Sequence, residues 1–368
     1  MLCAKSPWTP AVRREHALAL EAAAAGHPVT FVEQPADVRA AGGAWARRLV
    51  RPARSAPAAG VAVVERSTLV PGHRSAVAQR VDHRLLGRVL ARASTASSSL
   101  VCCVPWDWPA VAAAPGARRV FDMADDWGEL MPGRRERFAA LYDRIAREAD
   151  AIVVVNEDLC RHFGAREVEV IRNGVPAWMV GAPAGPPAER TMLYVGTLSP
   201  RFDAPLMGAV LATLPDWTLE LIGPCLYPGR GDRPDDELAA LLARPEVRWD
   251  GPLPREALPD RLDAAAVLIL PNRPAHSVGQ DSMKLYDYSA RGRPIVSTTW
   301  SPRLADEGPP HLALADDPAA FADAVRAAAS APAAWAGERR AWGASQTWDA
   351  RWPVWRAAVT GAPVEAAA

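Results

Sequence analysis

Short apolar segments of strand length alternate with longer segments of helix length along most of the chain. This alternation is typical of parallel strands joined by crossover helices, and it predicts an α/β protein with two series of strands. The first series comprises residues 29–33, 61–64, 100–104, 120–122, 151–155 and 168–171. The second comprises residues 192–195, 219–222, 247–249, 267–270, 295–297 and, as its weakest member, 312–314.

A proline- and glycine-rich stretch separates the two series. Residues 181–187 read Gly-Ala-Pro-Ala-Gly-Pro-Pro, a composition that opposes both helix and strand. We therefore predict a first domain over residues 1–180, a linker over 181–190 and a second domain from residue 191.

Composition excludes several classes of protein. The 368 residues carry 42 basic and 42 acidic side chains, so no bulk charge favours nucleic-acid binding. The longest apolar runs, such as residues 264–270, are too short to span a membrane, and residues 1–8 lack the apolar centre of a secretory signal. Five cysteines without a Cys-x-x-Cys pair also fit the cytoplasm, which is the predicted location.

The positive charge is concentrated in one segment. Residues 39–92 hold 11 arginines against two acidic residues. Four of these arginines, Arg80, Arg84, Arg88 and Arg92, recur every four residues beside an apolar stripe, which predicts a basic amphipathic helix. Such a helix is either an ordinary surface helix or a peripheral contact with an anionic membrane or a lipid-linked substrate.

Residues 277–297 predict a loop, a helix and then a strand. Asp281 or Ser282 suits the N-cap, so that the free amides around Met283 would form an anion site. Lys284, one of only two lysines in the chain, lies in the first helical turn, where a cation opposes the helix dipole unless an anion is bound. Asp287 could bind a ribose hydroxyl pair; the alternative is a Lys284–Asp287 surface pair.

A second anion-binding turn is predicted where the second series begins. Gly196 follows an apolar strand and permits close approach to the backbone, and Arg201 could bind a phosphate through its planar fork of donors. Both this turn and the one at Lys284 are expected at the carboxyl ends of strands, where open α/β sheets bind ligands.

An acidic turn is the strongest candidate in the first half of the chain. Asp122, Asp125, Asp126 and Trp127 follow a predicted strand. Carboxylates beside a flat aromatic ring suit the hydroxyl groups of a sugar. The alternative is that these residues cap a helix or lie solvated at the surface.

The segment Met-Lys-Leu-Tyr-Asp-Tyr-Ser-Ala-Arg-Gly-Arg-Pro-Ile-Val-Ser at 283–297 resembles the group 1, family 4 glycosyltransferases, especially those of teichuronic acid biosynthesis. The family pattern is Lys-Leu-Tyr-Glu-Tyr-Leu-Ala-x-Gly-Lys-Pro-Val-Val. Residues 26–33, 121–127, 173–175 and 216–224 support the likeness.

The resemblance implies the GT-B fold, in which two Rossmann-like domains face each other across a cleft. Residues 1–180 would bind the acceptor, residues 191–345 the nucleotide sugar, and residues 346–368 would cross back to the first domain. A sugar would pass, with retention of configuration, from a nucleoside diphosphate to a glycan, lipid-linked or small-molecule acceptor. His16 lies where related enzymes often place an acceptor-side histidine, and we group it with Asp125 and Asp126 as catalytic.

No cofactor is expected besides the nucleotide-sugar co-substrate. The sequence lacks an Asp-x-Asp pair, so we also expect the site to work without a metal. Arg201, Lys284 and the helix N-terminus around Ser282 would stabilise the leaving diphosphate, and Gly196 would contact the donor. The resemblance further favours displacement from one face of the sugar. The general base is unassigned.

Two departures from the family pattern keep other functions open. Gly279 stands where family members often have a glutamate near the sugar. Only residues 1–4 are available for the first strand, so either the start is late or the edge of the first sheet is small. A sugar-nucleotide epimerase of the same fold is one alternative. A non-catalytic module that binds a nucleotide sugar or organises a pathway is the other.

Overall fold

A computed structural model describes residues 1–9, 13–36, 45–68, 76–182 and 185–364 of the protein. These residues form two compact units. The first unit contains Met1–Arg172 and the C-terminal segment that starts at Trp348, and the second contains Asn173–Thr347.

Eight strands form one sheet in the described part of the first unit. They are β1 (Leu2–Cys3), β2 (Val29–Val32), β3 (Ala53–Ala58), β4 (Val61–Glu65), β5 (Ser99–Cys102), β6 (Arg118–Met123), β7 (Ala151–Val154) and β8 (Glu169–Val170). Their order is β3-β4-β2-β1-β5-β6-β7-β8, and all neighbours are parallel except β3 and β4.

Six parallel strands form the sheet of the second unit. They are β9 (Thr191–Val195), β10 (Thr218–Ile222), β11 (Val247–Trp249), β12 (Val267–Leu270), β13 (Ile295–Ser297) and β14 (Ala313–Leu314). Their order is β11-β10-β9-β12-β13-β14. All twelve predicted strands are present in the two sheets within about two residues at either end, so the predicted α/β class is confirmed.

Strand β3 was not predicted. Its sequence, Ala-Arg-Ser-Ala-Pro-Ala, lacks alternation of apolar and polar residues, and its four central residues are exposed. Gly60, with φ +73°, lies in the tight turn that returns the chain antiparallel into β4. Pro57 has no backbone N–H to donate to a neighbouring strand. The edge position of β3 tolerates this loss, because one side of an edge strand has no neighbour to pair with.

Helices connect the parallel strands. In the first unit they are α1 (Arg14–Ala24), α2 (Trp45–Val50), α3 (Ala76–Ala93), α4 (Trp108–Ala112), α5 (Trp127–Leu130) and α6 (Arg135–Glu148). In the second unit they are α7 (Ala204–Thr213), α8 (Asp236–Leu242), α9 (Leu258–Ala264), α10 (Met283–Arg291), α11 (Leu304–Glu307), α12 (Pro318–Ala329) and α13 (Ala334–Ala344). The last helix, α14 (Trp348–Thr360), belongs to the first unit.

Helix α14 packs on the first sheet through large side chains. Trp348 and Trp355 are buried, and the indole N–H of Trp355 donates to Asp122 Oδ2 at 2.8 Å. The hydroxyl of Ser99 donates to the carbonyl of Val359 at 2.8 Å. These tryptophans therefore contribute to packing in the first unit.

The units divide earlier along the chain than the predicted linker at 181–190. The backbone N–H of Asn173 donates to Asp281 Oδ2 at 2.6 Å, and its side-chain amide donates to the Asp281 carbonyl at 2.7 Å. Gly181 N–H donates to the Ala290 carbonyl at 3.2 Å. Because of these bonds, residues 173–181 belong to the second unit; residues 183–184 lie outside the described part of the chain.

The strand order decides where a ligand can bind. In each sheet the first strand of the unit, β1 or β9, lies in the interior, and successive strands are added on one side of it and then on the other. This reversal leaves a crevice at the carboxyl ends of the strands, between β1 and β5 and between β9 and β12. We call the side of a sheet at which its parallel strands end the carboxyl edge.

Candidate functional site

Two glycines bring the loops after β9 and β10 into backbone contact at the carboxyl edge of the second sheet. Gly196 N–H donates to the Ile222 carbonyl at 2.8 Å. Gly223 has φ +135°, and a Cβ there would lie 2.2 Å from the Gly196 carbonyl oxygen. No larger residue fits at Gly223, so the loops present bare backbone at this edge.

Lys284 occupies the space that a side chain at Gly196 would take. A Cβ on Gly196 would lie 2.0 Å from Lys284 Cε and 2.7 Å from its Nζ. The Nζ also lies 5.2 Å from the ring centroid of Tyr194, which is close enough for a cation–π interaction. The structure thus brings together the two predicted turns, at Gly196 and at Lys284.

The ammonium of Lys284 forms no ion pair or hydrogen bond with any residue that the structure describes. The alternative of a Lys284–Asp287 pair is not what the structure shows, because Asp287 Oδ1 binds Arg255 at 3.1 Å. Burial raises the pKa of Asp287, although the charges of Arg255 and Lys284 lower it. Lys284 is itself half-buried, so it is a partly desolvated cation without an ion-pair partner among the described residues.

Helix α10 begins at this lysine without a side-chain cap. Ser282 is the N-cap residue, with φ −78° and ψ 112°, and its hydroxyl caps no backbone amide. The first turn contains no acidic residue. The positive end of the helix dipole is therefore uncompensated by the helix's own side chains around Met283 and Lys284.

Asp281 has a different environment from the one predicted for a donor ligand. Its Oδ1 accepts from the Tyr286 hydroxyl at 2.7 Å, and its Oδ2 accepts from Asn173 N–H at 2.6 Å. The carboxylate holds the start of the second unit against α10. In this structure Asp281 positions the loop that leads into the helix.

Arg201 lies in the loop that follows β9 and is half-buried. Its carbonyl accepts from Arg273 N–H at 2.7 Å, which fixes the backbone. Its guanidinium forms no hydrogen bond or ion pair with the residues described here, whereas the Arg273 side chain pairs with Asp203 at 3.7 Å. Arg201 is thus a second cation at this edge without a carboxylate partner.

At Gly279 the structure explains a departure from the family pattern. Gly279 has φ +67°, the left-handed region that L side chains rarely adopt. A glutamate at this position would be strained with the present backbone. The loop before α10 therefore has a conformation built on glycine.

The carboxyl edge of the first sheet holds the other lysine. Lys5 follows β1, and its Nζ lies 2.6 Å from Asp125 Oδ2, after β6. The two side chains are 20% and 15% exposed, so the pair is mostly shielded from water. Burial lowers the pKa of Lys5, but Asp125 and Glu15 raise it by more, so that the net shift is upward.

A second, fully buried ion pair lies beside the first. Arg14 Nε binds Asp122 Oδ1 at 2.9 Å, and both side chains are almost inaccessible. Glu15 is also buried, and its Oε1 has no hydrogen-bond partner among the described residues. Lys5, Arg14 and Glu15 were not predicted as site residues; the available signals were the rarity of lysine and the charged run at residues 13–15.

Asp126 does not have the free carboxylate that its predicted catalytic role requires. Its Oδ1 accepts from Gly128 N–H at 3.0 Å and caps α5, while its Oδ2 binds Arg161 at 2.6 Å and His162 at 2.8 Å. Burial raises the pKa of Asp126, but the His162 and Arg161 contacts lower it by more. The helix-cap alternative describes this residue, because its lone pairs are already used.

His16 likewise has no free ring nitrogen. Its Nδ1 accepts from Arg13 N–H at 3.1 Å, which leaves Nε2 as the donor to the Pro7 carbonyl at 2.9 Å. The ring stacks on Phe31 and meets Trp8 edge-on. Burial lowers the pKa of His16. In this structure the histidine holds the loop after β1, and its acceptor-side catalytic role stays a prediction.

Residues 189–330, most of the second unit, match the family model of group 1 glycosyl transferases. The resemblance noted for residues 283–297 is confirmed by this match. Together with the two parallel-sheet units, it defines the class of protein: the chain has the GT-B fold, and its second unit is similar to group 1 glycosyl transferases.

Among known proteins the chain is similar to a Bacillus subtilis protein whose name assigns it to teichuronic acid biosynthesis as the glycosyltransferase TuaH. The two are 24% identical over 203 residues, which cover 49% of this chain and 50% of the relative. The chain thus spans about half the length of the curated relative it matches.

Two solved structures share the fold over nearly the whole chain. The sucrose-phosphate synthase of Thermosynechococcus elongatus has a TM-score of 0.74 at 16% identity. The alignment covers 98% of this chain and 99% of the synthase chain. HepE of Anabaena, solved in complex with UDP and glucose, has a TM-score of 0.66 at 15% identity, with coverage of 94% and 95%.

Proposed function

We propose that the protein transfers a sugar from a nucleoside diphosphate sugar to an acceptor. The observation that carries this proposal is the position of Lys284, an unpaired, half-buried cation against Gly196 at the uncapped start of α10. Phosphate oxygens suit such a place, because free amides, a helix dipole and an ammonium group all favour an anion there.

The same groups would speed the chemical step. As the glycosyl–phosphate bond breaks, negative charge grows on the diphosphate, and cations already in place stabilise that charge more than the ground state. Lys284, Arg201 and the amides near Ser282 and Met283 are assigned this role, and Asp287 is assigned to the ribose. We further propose retention of configuration through displacement from one face, without a metal or cofactor.

Two observations support a nucleotide sugar as the donor. The family match lies on the unit that contains Lys284. HepE, which shares the fold, was solved with UDP and glucose. We therefore propose a nucleoside diphosphate sugar as the co-substrate of this chain.

The acceptor is assigned to the first unit. The carboxyl edge there combines Lys5 and Arg14 with Asp122, Asp125 and Glu15 in a shielded cluster. Sugar hydroxyls both donate and accept hydrogen bonds, so they suit an edge with both kinds of charge. Asp125 is the carboxylate of this cluster that we assign to acceptor binding. A glycan, a lipid-linked sugar or a small molecule would satisfy this chemistry.

The exposed side of α3 supports a peripheral contact with an anionic membrane. Four arginines of this helix are exposed, namely Arg80, Arg84, Arg88 and Arg92. Leu86, Val89 and Leu90 on the opposite side are buried. The described helices include none that is both long and apolar enough to cross a membrane. The other residues of the basic segment at 39–44 and 69–75 lie outside the described ranges.

The proposed function is tested in two stages. A thermal-shift panel of nucleoside diphosphates should show selective stabilisation of the full chain by one of them, since a ligand that binds only the folded state stabilises it by mass action. The matching sugar donors are then incubated with and without glycan acceptors. Conversion of donor alone to an isomer would indicate the epimerase. Binding without transfer or donor hydrolysis would indicate the non-catalytic module.

A further inference from the structure

A cavity of about 540 Å³ lies in the first unit, between α2, the edge strand β3 and the C-terminal part of α3. Its volume is in the range of small-molecule sites, roughly 300 to 1,000 Å³. The cavity belongs to neither of the two carboxyl-edge clusters described above. Its basic lining consists of Arg47, Arg48, Arg51, Arg54 and Arg92.

These arginines are poorly compensated by acidic groups. Arg48 pairs with Glu65 at 2.7 Å. The other four form no ion pair with any residue in the described ranges. An adjoining cavity of about 70 Å³ shares Arg48 and Arg92 and adds Arg66, Arg88 and a single carboxylate, that of Asp82. Like charges gathered around one space repel each other, so an anion in that space would stabilise the arrangement.

The chemistry of the lining indicates phosphate. A guanidinium group offers a planar fork of donors that matches two phosphate oxygens, and it stays charged at all physiological pH values. The four guanidinium groups without a described ion pair exceed what one singly charged phosphate diester can neutralise. The remaining lining, Pro52, Ala53, Val64 and Val89, is apolar and can contact the carbon framework that carries the phosphates.

We propose that this arginine cavity binds a ligand with a pyrophosphate group or two neighbouring phosphate groups. The proposal does not depend on the function assigned to the carboxyl edges, because the cavity is lined by different elements. The ligand could be water-soluble or be the headgroup of a lipid, since both offer the same phosphate chemistry to the cavity.

The test uses calorimetric titration of inorganic pyrophosphate into the full chain carrying Lys284→Ala, which removes the ammonium group of the other predicted phosphate site. We expect saturable binding that weakens as the salt concentration rises. The double variant Arg51→Gln/Arg54→Gln, in the same background, should bind at least about tenfold more weakly. Both arginines are exposed, so their replacement leaves the core unchanged, and circular dichroism checks the fold.

The matched control is Arg80→Gln/Arg84→Gln, which removes the same charge from exposed positions of α3 that do not line the cavity. This variant should bind pyrophosphate within about twofold of its parent. Absence of saturable binding in the parent, or an equal loss in both double variants, overturns the proposal, because general surface charge would then explain any effect.

Vesicles distinguish the two sources of the phosphate groups. Cosedimentation with phosphatidylcholine vesicles containing cardiolipin, whose headgroup carries two phosphate groups, supports a lipid headgroup in the cavity if it is competed by pyrophosphate and lost in Arg51→Gln/Arg54→Gln. Pyrophosphate binding without cosedimentation supports a water-soluble ligand. Vesicle binding that survives the Arg51/Arg54 substitutions, together with no pyrophosphate binding, assigns the contact to the face of α3 and overturns the cavity proposal.

Discussion

The two lysines of the chain lie at matching places in the two units and have opposite surroundings. Lys5 follows β1, and Lys284 fills the space beside Gly196 directly after β9. The ammonium of Lys5 is 2.6 Å from a carboxylate, whereas that of Lys284 faces the Tyr194 ring and has no described carboxylate partner. Both sheets reverse their strand order beside the first strand of the unit, yet one carboxyl edge is compensated and the other is cationic.

Under the proposed function, the two carboxyl edges bind different substrates of one reaction. A compensated edge can exchange hydrogen bonds with uncharged hydroxyl groups, but it offers little net attraction to a phosphate. A cation without a counter-ion is costly to bury alone and gains most from an anionic ligand. We therefore assign the diphosphate to the second unit and the acceptor hydroxyl to the first.

The largest expected effect comes from removing the unpaired cation. Lys284→Ala should lower the rate of sugar transfer about a hundredfold, corresponding to about 3 kcal/mol, because it removes a preorganised donor to the leaving group. Single-turnover kinetics with a confirmed donor measures this. Arg326→Ala, which removes an exposed cation of α12, is the control. Turnover of Lys284→Ala within a few-fold of the wild type would refute the assigned role.

Gly196→Ala tests whether the glycine makes room for the lysine. The added Cβ would overlap Lys284 Cε, so we expect nucleotide affinity to fall about tenfold and the unfolding free energy to fall by about 1–3 kcal/mol. Calorimetry and urea denaturation measure these quantities. Gly208→Ala in α7 is the matched control, because nothing lies within 4 Å of its new Cβ. Equal behaviour of the two variants would contradict the packing argument.

Lys5→Met would convert the compensated edge into an acidic one. We expect the unfolding free energy to fall by about 2 kcal/mol, since Asp125 loses its partner in a mostly shielded position. The KM for the acceptor should rise, while the dissociation constant of the nucleotide stays within about twofold. Weaker nucleotide binding in calorimetry would show that the two edges do not divide the substrates in this way. Asp125→Asn should reproduce the effect on the acceptor.

The smallest effect concerns pH. Burial lowers the pKa of His16 below the 6.5 of a free imidazole, so on acidification the unfolded chain binds this proton before the folded chain does. The contribution of His16 to stability is therefore complete above pH 6.5 and falls as the pH drops below it. Urea denaturation at several pH values measures this slope.

Replacement of His16 by leucine should remove that part of the slope. His27→Asn, at an exposed position, should leave the slope unchanged. If the two variants show the same pH dependence as the wild type, the imidazole at 16 is not held in its neutral form.

Much of the fold could be predicted from the sequence because the information is local. Buried parallel strands need apolar side chains on both faces, so Val267–Leu270 and its counterparts are recognisable as short apolar runs. Strand β3 was not predicted, because an exposed edge strand with a proline does not need a run of apolar residues. Its place is decided by pairing with β4.

The candidate site was predicted in part for the same reason. Lys284 was recognisable because a lysine is rare in this chain and unfavourable in a first helical turn. The partners of Asp126, His16 and Asp281 were not recognisable, because they come from residues distant in sequence or from the backbone. Asp126 meets His162, and Asp281 meets Asn173.

The sequence by itself determined the two strand series, the helix that begins at Lys284 and the concentration of arginine before residue 93. These depend on the order of residues within one element. Only the tertiary structure decided which charges are compensated, because an ion pair such as Lys5–Asp125 joins residues 120 positions apart. The tertiary structure places the Asp125 carboxylate beside Lys5 and Gly196 beside Lys284. That contrast underlies the function proposed for each unit.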